Sequence, residues 1–269
     1  MKEFNSFDGI NIRYTYQKGK RETLIFLHGW PHNHTVWKKQ SAYFLKKGYG
    51  VVLVDLRGHG LSDKPMKGKY TFSHFSKDIH GLIKHEQIRD AILIGHSFGG
   101  MMILKYLEMF PKSVQGAVCI GTTYEDPLRE IPILKHLHLT PLMICLTHFF
   151  LKFLEIGKEP KKSIDYSSMK ISSDIYYWIQ GVRTTPLVSV LACLKEMLRF
   201  DHYSVLQKIH IPVLILQGEY DFKTPHNLAN MMYKKIKQSK LVIIKKATHD
   251  MNLQNPDEVN EQIYKFLTG

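Results

Sequence analysis

Cysteine is scarce. The 269 residues hold three, Cys119, Cys145 and Cys193. An odd number at wide spacing supports neither a disulfide framework nor a cysteine-bound zinc site, so a reducing compartment is expected. A long apolar run is also missing. In the apolar middle of the chain, the longest stretch without Lys, Arg, Asp or Glu covers 136–151, is interrupted by Pro141 and contains three histidines. It is too short and too polar to span a bilayer. The first residues carry no apolar segment of the kind that directs secretion, and a cytoplasmic location is the expectation. Neither an internal repeat nor a low-complexity tract occurs. Acidic residues are the scarcer charge: 24 Asp and Glu stand against 37 Lys and Arg, for a formal net charge of +13. Such an excess invites a nucleic acid, but binding phosphates needs a concentrated basic face. Here the excess is nine over 1–121, one over 122–203 and three over 204–269. Pairs such as Lys38-Lys39, Lys46-Lys47 and Lys234-Lys235 fall on expected outer helix faces, so no nucleic-acid partner is predicted.

What is present in quantity is apolar residue, 44% of the chain, enough to bury a core without staples. Its arrangement is rhythmic. Apolar runs at 23–28, 51–55, 91–95 and 114–120 alternate with helix-length segments around 35–47, 72–86 and 99–110. Runs without period-two alternation mark strands buried on both faces, as a parallel sheet covered by helices demands. The segments 2–8 and 10–17, joined at Asp8-Gly9, read as an antiparallel hairpin before it. The rhythm stops after Gly121 and resumes at 213–218, with a helix near 225–237, a strand at 241–244 and a last helix over 256–267. The fold class is therefore α/β, a mostly parallel doubly wound sheet, with 1–122 and 204–269 forming the core. The segment 123–203, punctuated by Pro127, Pro132, Pro141, Pro160 and Pro186, reads as a helical insertion over the carboxyl edge of the sheet. Open α/β sheets bind ligands at that edge, so the insertion is placed to act as a lid or cap.

The sharpest motif is Gly95-His96-Ser97-Phe98-Gly99, between a strand and a helix. Glycines permit a tight bend there that projects the Ser97 hydroxyl above the sheet, at a helix N-terminus that favours a developing anion. A serine nucleophile needs a base, and the base needs an acid to orient it. Asp221 and His249 supply these from the turns after the strands 213–218 and 241–244, with Asp126 as the fallback acid. Asp250, adjacent to His249, is expected to point elsewhere. An oxyanion hole needs two backbone N–H groups. Phe98 offers one, and in His28-Gly29-Trp30-Pro31 the second falls to Trp30, since Pro31 has none. His28, His32 and His34 are not expected to bind metal, because His28 belongs to the loop motif and the other two fall on an exposed turn or helix start. Asp55 and Arg57 read as supports of their loop.

Together these segments resemble the α/β-hydrolase superfamily. The matching positions are 28–31 with Trp37 and Gln40 beyond it, 55–62, the serine elbow, 218–225 and Thr248-His249, essentially the whole chain outside the insertion. The first two are most similar to epoxide hydrolases, haloalkane dehalogenases and cofactor-free haloperoxidases. Epoxide hydrolases and dehalogenases of this family use an aspartate nucleophile where this chain has Ser97, which argues against both activities. The resemblance implies a serine esterase acting on a small-molecule substrate with the triad Ser97, Asp221 and His249, and no metal or organic cofactor.

The insertion carries apolar residues at 142–146 and 149–151, then Phe153, Leu154, Tyr176, Tyr177 and Trp178, which favour an apolar acyl or aryl substrate. The face around 142–154 is also a candidate for peripheral contact with a lipid surface. Lactonase, thioesterase, carbon–carbon hydrolase and perhydrolase activities remain open alternatives, as does a ligand receptor on the same fold. The residues set no oligomeric state.

Overall fold

The computed structural model describes residues 1–65, 68–127, 163–169 and 173–269. A hairpin opens the chain: β1 (Lys2–Asn5) pairs antiparallel with β2 (Asn11–Gln17), Phe4 facing Ile12. Next come β3 (Thr23–Leu27), β4 (Gly50–Val54), β5 (Ala91–His96), β6 (Gly116–Ile120) and β7 (Val213–Gly218), which are buried at every position. The edge strand β8 (Ser239–Ile244) is only partly covered and starts two residues earlier than its apolar run. The order is β1-β2-β4-β3-β5-β6-β7-β8, parallel from β4 onward.

Full burial follows from a core on each face. Successive residues of a strand point to opposite sides. Ile25, Leu93, Cys119 and Ile215 accordingly join one apolar cluster, while Phe26, Ile94, Val118 and Leu214 join the other. α2 (Phe72–His85) and α3 (Phe98–Met109) pack on the first face with Phe75, Ile79 and Leu104. α1 (Lys38–Lys46) covers the second with Phe44. Within 123–203 the described elements are a short turn at Tyr166–Ser168, α4 (Asp174–Thr184) and α5 (Leu187–Met197), with an isolated antiparallel bridge between Glu125 and Asp201. The runs 142–146 and 149–151, with Phe153 and Leu154, lie outside the described residues. The chain closes with α6 (Tyr203–Leu206), α7 (His226–Lys235), α8 (Met251–Gln254) and α9 (Pro256–Thr268), the last adding Val259 and Ile263 to the second face. No helix among the described residues is long and apolar enough to cross a membrane.

Arg57 is a fully buried tie within the core. Its guanidinium donates to both Asp78 oxygens at 2.7 and 2.6 Å, to Asp8 at 3.0 and 3.2 Å and to the Lys69 carbonyl at 2.9 Å. It thereby joins the hairpin turn to α2. Arg57→Ala would strand the buried carboxylate of Asp78, and removing one partner of a buried pair costs about 3–5 kcal/mol. Urea unfolding should show the midpoint falling at unchanged slope. A loss below about 1 kcal/mol would refute the account.

Candidate active site

β5 runs into α3 through a single residue, Ser97, at φ 50° and ψ −112°. A side-chain-bearing residue in that region costs about 1–3 kcal/mol and persists only where its surroundings over-determine it. They do here. Ser97 N donates to the Ile120 carbonyl at 2.8 Å, and the Ser97 carbonyl accepts from Gly100 N at 2.9 Å, Met101 N at 3.1 Å and Thr122 Oγ1 at 2.7 Å. The flanking glycines are required by close approach: a Cβ on Gly95 would lie 2.5 Å from the Gly99 carbonyl carbon, and one on Gly99 would lie 2.3 Å from the Leu27 oxygen.

The turns after β7 and β8 bring the expected acid and base together. His249 Nδ1 lies 2.9 Å from Asp221 Oδ2, and both residues are buried. Asp221 is fixed further by Thr224 Oγ1 at 2.7 Å and by the backbone N–H groups of Lys223 and Thr224 at 2.9 and 3.1 Å. Burial alone would raise its carboxyl. The charge and hydrogen bond of His249 with those of Thr224 outweigh it, holding Asp221 well below the ordinary carboxylate range. Burial likewise pushes His249 down, but the Asp221 anion, its hydrogen bond and the charge of Asp250 leave the imidazole above its usual value. With Asp221 ionised, Nδ1 carries the proton and Nε2 is left basic. His249 Nδ1 thus meets Asp221 and not Asp126.

Ser97 and His249 line one cavity of about 510 Å³. Its walls are mostly apolar, with Met101 of α3, Leu194 and Met197 of α5, and Trp30, Trp178 and Phe222 among them. Of the aromatics expected from the insertion, three lie among the described residues, and of these Trp178 alone faces the cavity; Tyr177 is buried in the second core cluster and Tyr176 packs against it. No hydrogen bond joins Ser97 Oγ to His249; such bonds often tighten only when substrate is bound. Phe98 is the first residue of α3, where backbone N–H groups have no intrahelical acceptor. Its ring is anchored against Phe72 and Phe75, with centroids 4.8 and 5.1 Å away. Trp30 is pinned by Nε1 donating to the Val190 carbonyl at 3.0 Å. Among the described residues no backbone carbonyl accepts from the N–H of Trp30 or of Phe98.

The expectation that His32 and His34 are exposed is corrected. Both are buried. His34 donates its backbone N–H to Asp55 Oδ1 at 2.8 Å, with Nδ1 2.7 Å from the same oxygen, and Leu61 N donates to Asp55 Oδ2 at 2.8 Å. Asp55 thus ties two loops together, as a support would. His32 instead stacks on His96 and lies with it beside Asp250, ligand atoms of all three falling within 4.8 Å of one another. That set could in principle hold a cation, but two of its donor sites are turned to other partners. His96 Nε2 faces the His249 carbonyl at 3.0 Å, which requires a proton on that nitrogen, and the Lys223 ammonium lies 3.8 Å from Asp250. Burial drives His96 down to about 3 and the Asp250 carboxyl up to about 7.

Residues 22–144 match the family described as alpha/beta hydrolase fold, and 199–269 match one described as TAP-like protein. The chain belongs to the α/β-hydrolase superfamily. It is 27% identical over 260 residues to the AB hydrolase superfamily protein YisY of Bacillus subtilis, covering 92% of each chain. It is 26% identical over 280 residues to the bifunctional esterase/perhydrolase DCH of Acinetobacter calcoaceticus, covering 97% of each. Its fold matches that of an esterase from Exiguobacterium antarcticum with a TM-score of 0.76 at 21% identity, over 99% of both chains. Family and fold mark it as a hydrolase.

Sequence reasoning missed two residues around this hydrolase site. Thr224, which orients Asp221, had a local signal in the turn that follows the acid. Asp174, whose Oδ2 accepts from His249 N at 3.2 Å, is 75 positions away in sequence and had none.

Proposed function

We propose that this hydrolase cleaves carboxylic esters with a small-to-medium apolar acyl or aryl group, through an acyl-enzyme on Ser97. The observation that carries the reading is a serine in a strained elbow, sharing an apolar cavity with a buried histidine that Asp221 orients. In this mechanism His249 Nε2 takes the Ser97 proton as Oγ attacks the ester carbonyl. The N–H groups of Trp30 and Phe98 receive the oxyanion, and the Asp221 anion stabilises the imidazolium. The tetrahedral intermediate collapses as His249 returns the proton to the leaving alcohol. Water, deprotonated by the same nitrogen, then releases the acid and frees Ser97. No step calls on a cofactor. Cys119 and Cys193 are buried free thiols, which suits the cytoplasmic location included in this reading.

Similarity to the esterase/perhydrolase of Acinetobacter calcoaceticus supports a second outcome at the same site, with peroxide replacing water to yield a peracid. A fluorophosphonate probe should label the peptide containing Ser97 stoichiometrically. Turnover of p-nitrophenyl esters should peak at a short or medium acyl length set by a cavity of about 510 Å³. An ester and lactone panel of graded acyl length, run with and without peroxide, separates esterase from lactonase and perhydrolase. Labelling elsewhere, or a burst with no steady-state turnover on any ester, would overturn the reading.

A further inference from the structure

We propose that Asp174, from the 123–203 insertion, is a positioning residue for His249, its carboxylate holding the main chain of the histidine loop in the reactive arrangement. The inference rests on the reading of His249 as the base. Asp174 opens α4, where an acidic side chain ordinarily complements its own helix N-terminus. Here it reaches across to the loop after β8 and accepts from two backbone N–H groups, from Gln254 Nε2 and from the Thr248 hydroxyl, whose one proton is shared with Gln254 Oε1 at 2.5 Å. Oδ1 takes Thr248 Oγ1 at 2.8 Å, Gln254 Nε2 at 2.8 Å and Asp250 N at 3.2 Å, while Oδ2 takes His249 N at 3.2 Å. Two consecutive backbone donors and the side chains on either side of them therefore converge on one carboxylate.

The arrangement has two consequences. Catalysis needs the base held within a fraction of an ångström of its productive position, and misplacement by about 1 Å can cost about 100-fold in rate. The Asp221 bond and the His96 ring, 4.9 Å away, hold the His249 imidazole, and His96 Nε2 holds the His249 carbonyl, so the Asp174 carboxylate adds the anchor on the N–H side of the same main chain. The carboxylate is also an anion. Burial would raise it, but the Thr248 bond and the charges of Lys223 and His249 outweigh burial and keep it below the ordinary carboxylate range. It thus adds negative potential beside a histidine that must become positive. Because α4 also contributes Ile175 and Trp178 to the cavity wall, the element that meets substrate is the one that holds the base.

Asp174→Asn keeps the size but gives up one acceptor and the charge. For a short p-nitrophenyl ester, kcat should fall about ten- to 100-fold while KM moves less than about twofold. The acid limb of kcat/KM should move to lower pH, since the imidazolium loses a neighbouring anion. The other groups facing His249 are Asp221 after β7, His96 at the end of β5, His32 in the loop after β3, Lys223 and Asp250; of these Asp250, whose carboxyl Asp174 helps to raise, ionises more readily in the variant and offsets part of the shift. Asp174→Glu should recover part of kcat, and Thr248→Val should reproduce a weaker form of the loss if Asp174→Asn folds poorly. NMR titration of His249 reads the shift independently of turnover. If the wild type hydrolyses no ester yet His249 still titrates lower in Asp174→Asn, the substrate reading falls and this inference stands. Unchanged kcat per probe-titrated site with an unchanged His249 titration would overturn the inference, even if melting temperature drops.

Discussion

Replacing Ser97 by alanine is expected to lower kcat on a short p-nitrophenyl ester by about 10⁵–10⁶-fold, the loss typical of deleting the nucleophile of a serine triad. The substitution removes one oxygen and leaves the cause of its placement intact. The bonds that fix residue 97 at φ 50° are made by its backbone, to Ile120, Gly100, Met101 and Thr122, so alanine inherits the same strained conformation. Melting temperature should therefore change little, and the cavity should still bind substrate, leaving KM or inhibitor affinity near the wild-type value. The N–H groups of Trp30 and Phe98 also survive. A small residual rate above background is expected, because positioning and oxyanion stabilisation act on a water attack as well. Fluorophosphonate labelling should vanish with the rate. A Ser97→Ala enzyme with more than about a tenth of wild-type turnover would remove Ser97 from the chemistry.

The same local economy explains what could be read from the residues. β3 to β7 were legible because a strand buried on both faces has no polar alternation, so 23–28 or 213–218 need no partner to be recognised. The elbow was legible because strand, bend and helix are contiguous. Asp221 and His249 were legible because each directly follows a strand, and parallel strands deliver their carboxyl ends to one edge. His32 was misjudged because its burial depends on residues far along the chain, Tyr166, His96 and Asp250, and His34 because it turns inward onto Asp55 of another loop. Loop histidines carry no local mark of that kind. Asp174 was invisible for the same reason: its partners are 74 to 80 positions away, and in sequence it looks like any acidic residue opening a helix. The apolar composition of the insertion gave the character of the cavity wall, but only the packing of α4 and α5 shows that Trp178, Leu194 and Met197 form it while Tyr177 does not.

Asp221→Asn is expected to cost about 10⁴-fold in kcat, more than the loss of one hydrogen bond accounts for. The reason lies in how the turn holds this side chain. Asp221 Oδ1 accepts from two backbone N–H groups, those of Lys223 and Thr224, and neither can become an acceptor. The asparagine carbonyl is forced into that position, so its NH₂ group takes the place of Oδ2, facing Thr224 Oγ1 and His249 Nδ1. Thr224 can reverse its hydroxyl. His249 can respond only by accepting on Nδ1, which moves its proton to Nε2 and leaves no basic nitrogen toward Ser97. The pH profile separates this from general damage. In the wild type the rate should rise as His249 loses its proton, with a midpoint above the ordinary histidine value of about 6.5, because the Asp221 anion favours the protonated ring. Asp221 itself stays ionised throughout that range, since its carboxyl is held far below it. In Asp221→Asn the supporting charge is gone, and whatever activity survives should rise at lower pH than in the wild type. Retention of rate within about tenfold, or an acid limb that does not move, would mean that another carboxylate orients His249. Asp126→Asn, inert if Asp221 is the acid, would then be the variant that loses activity.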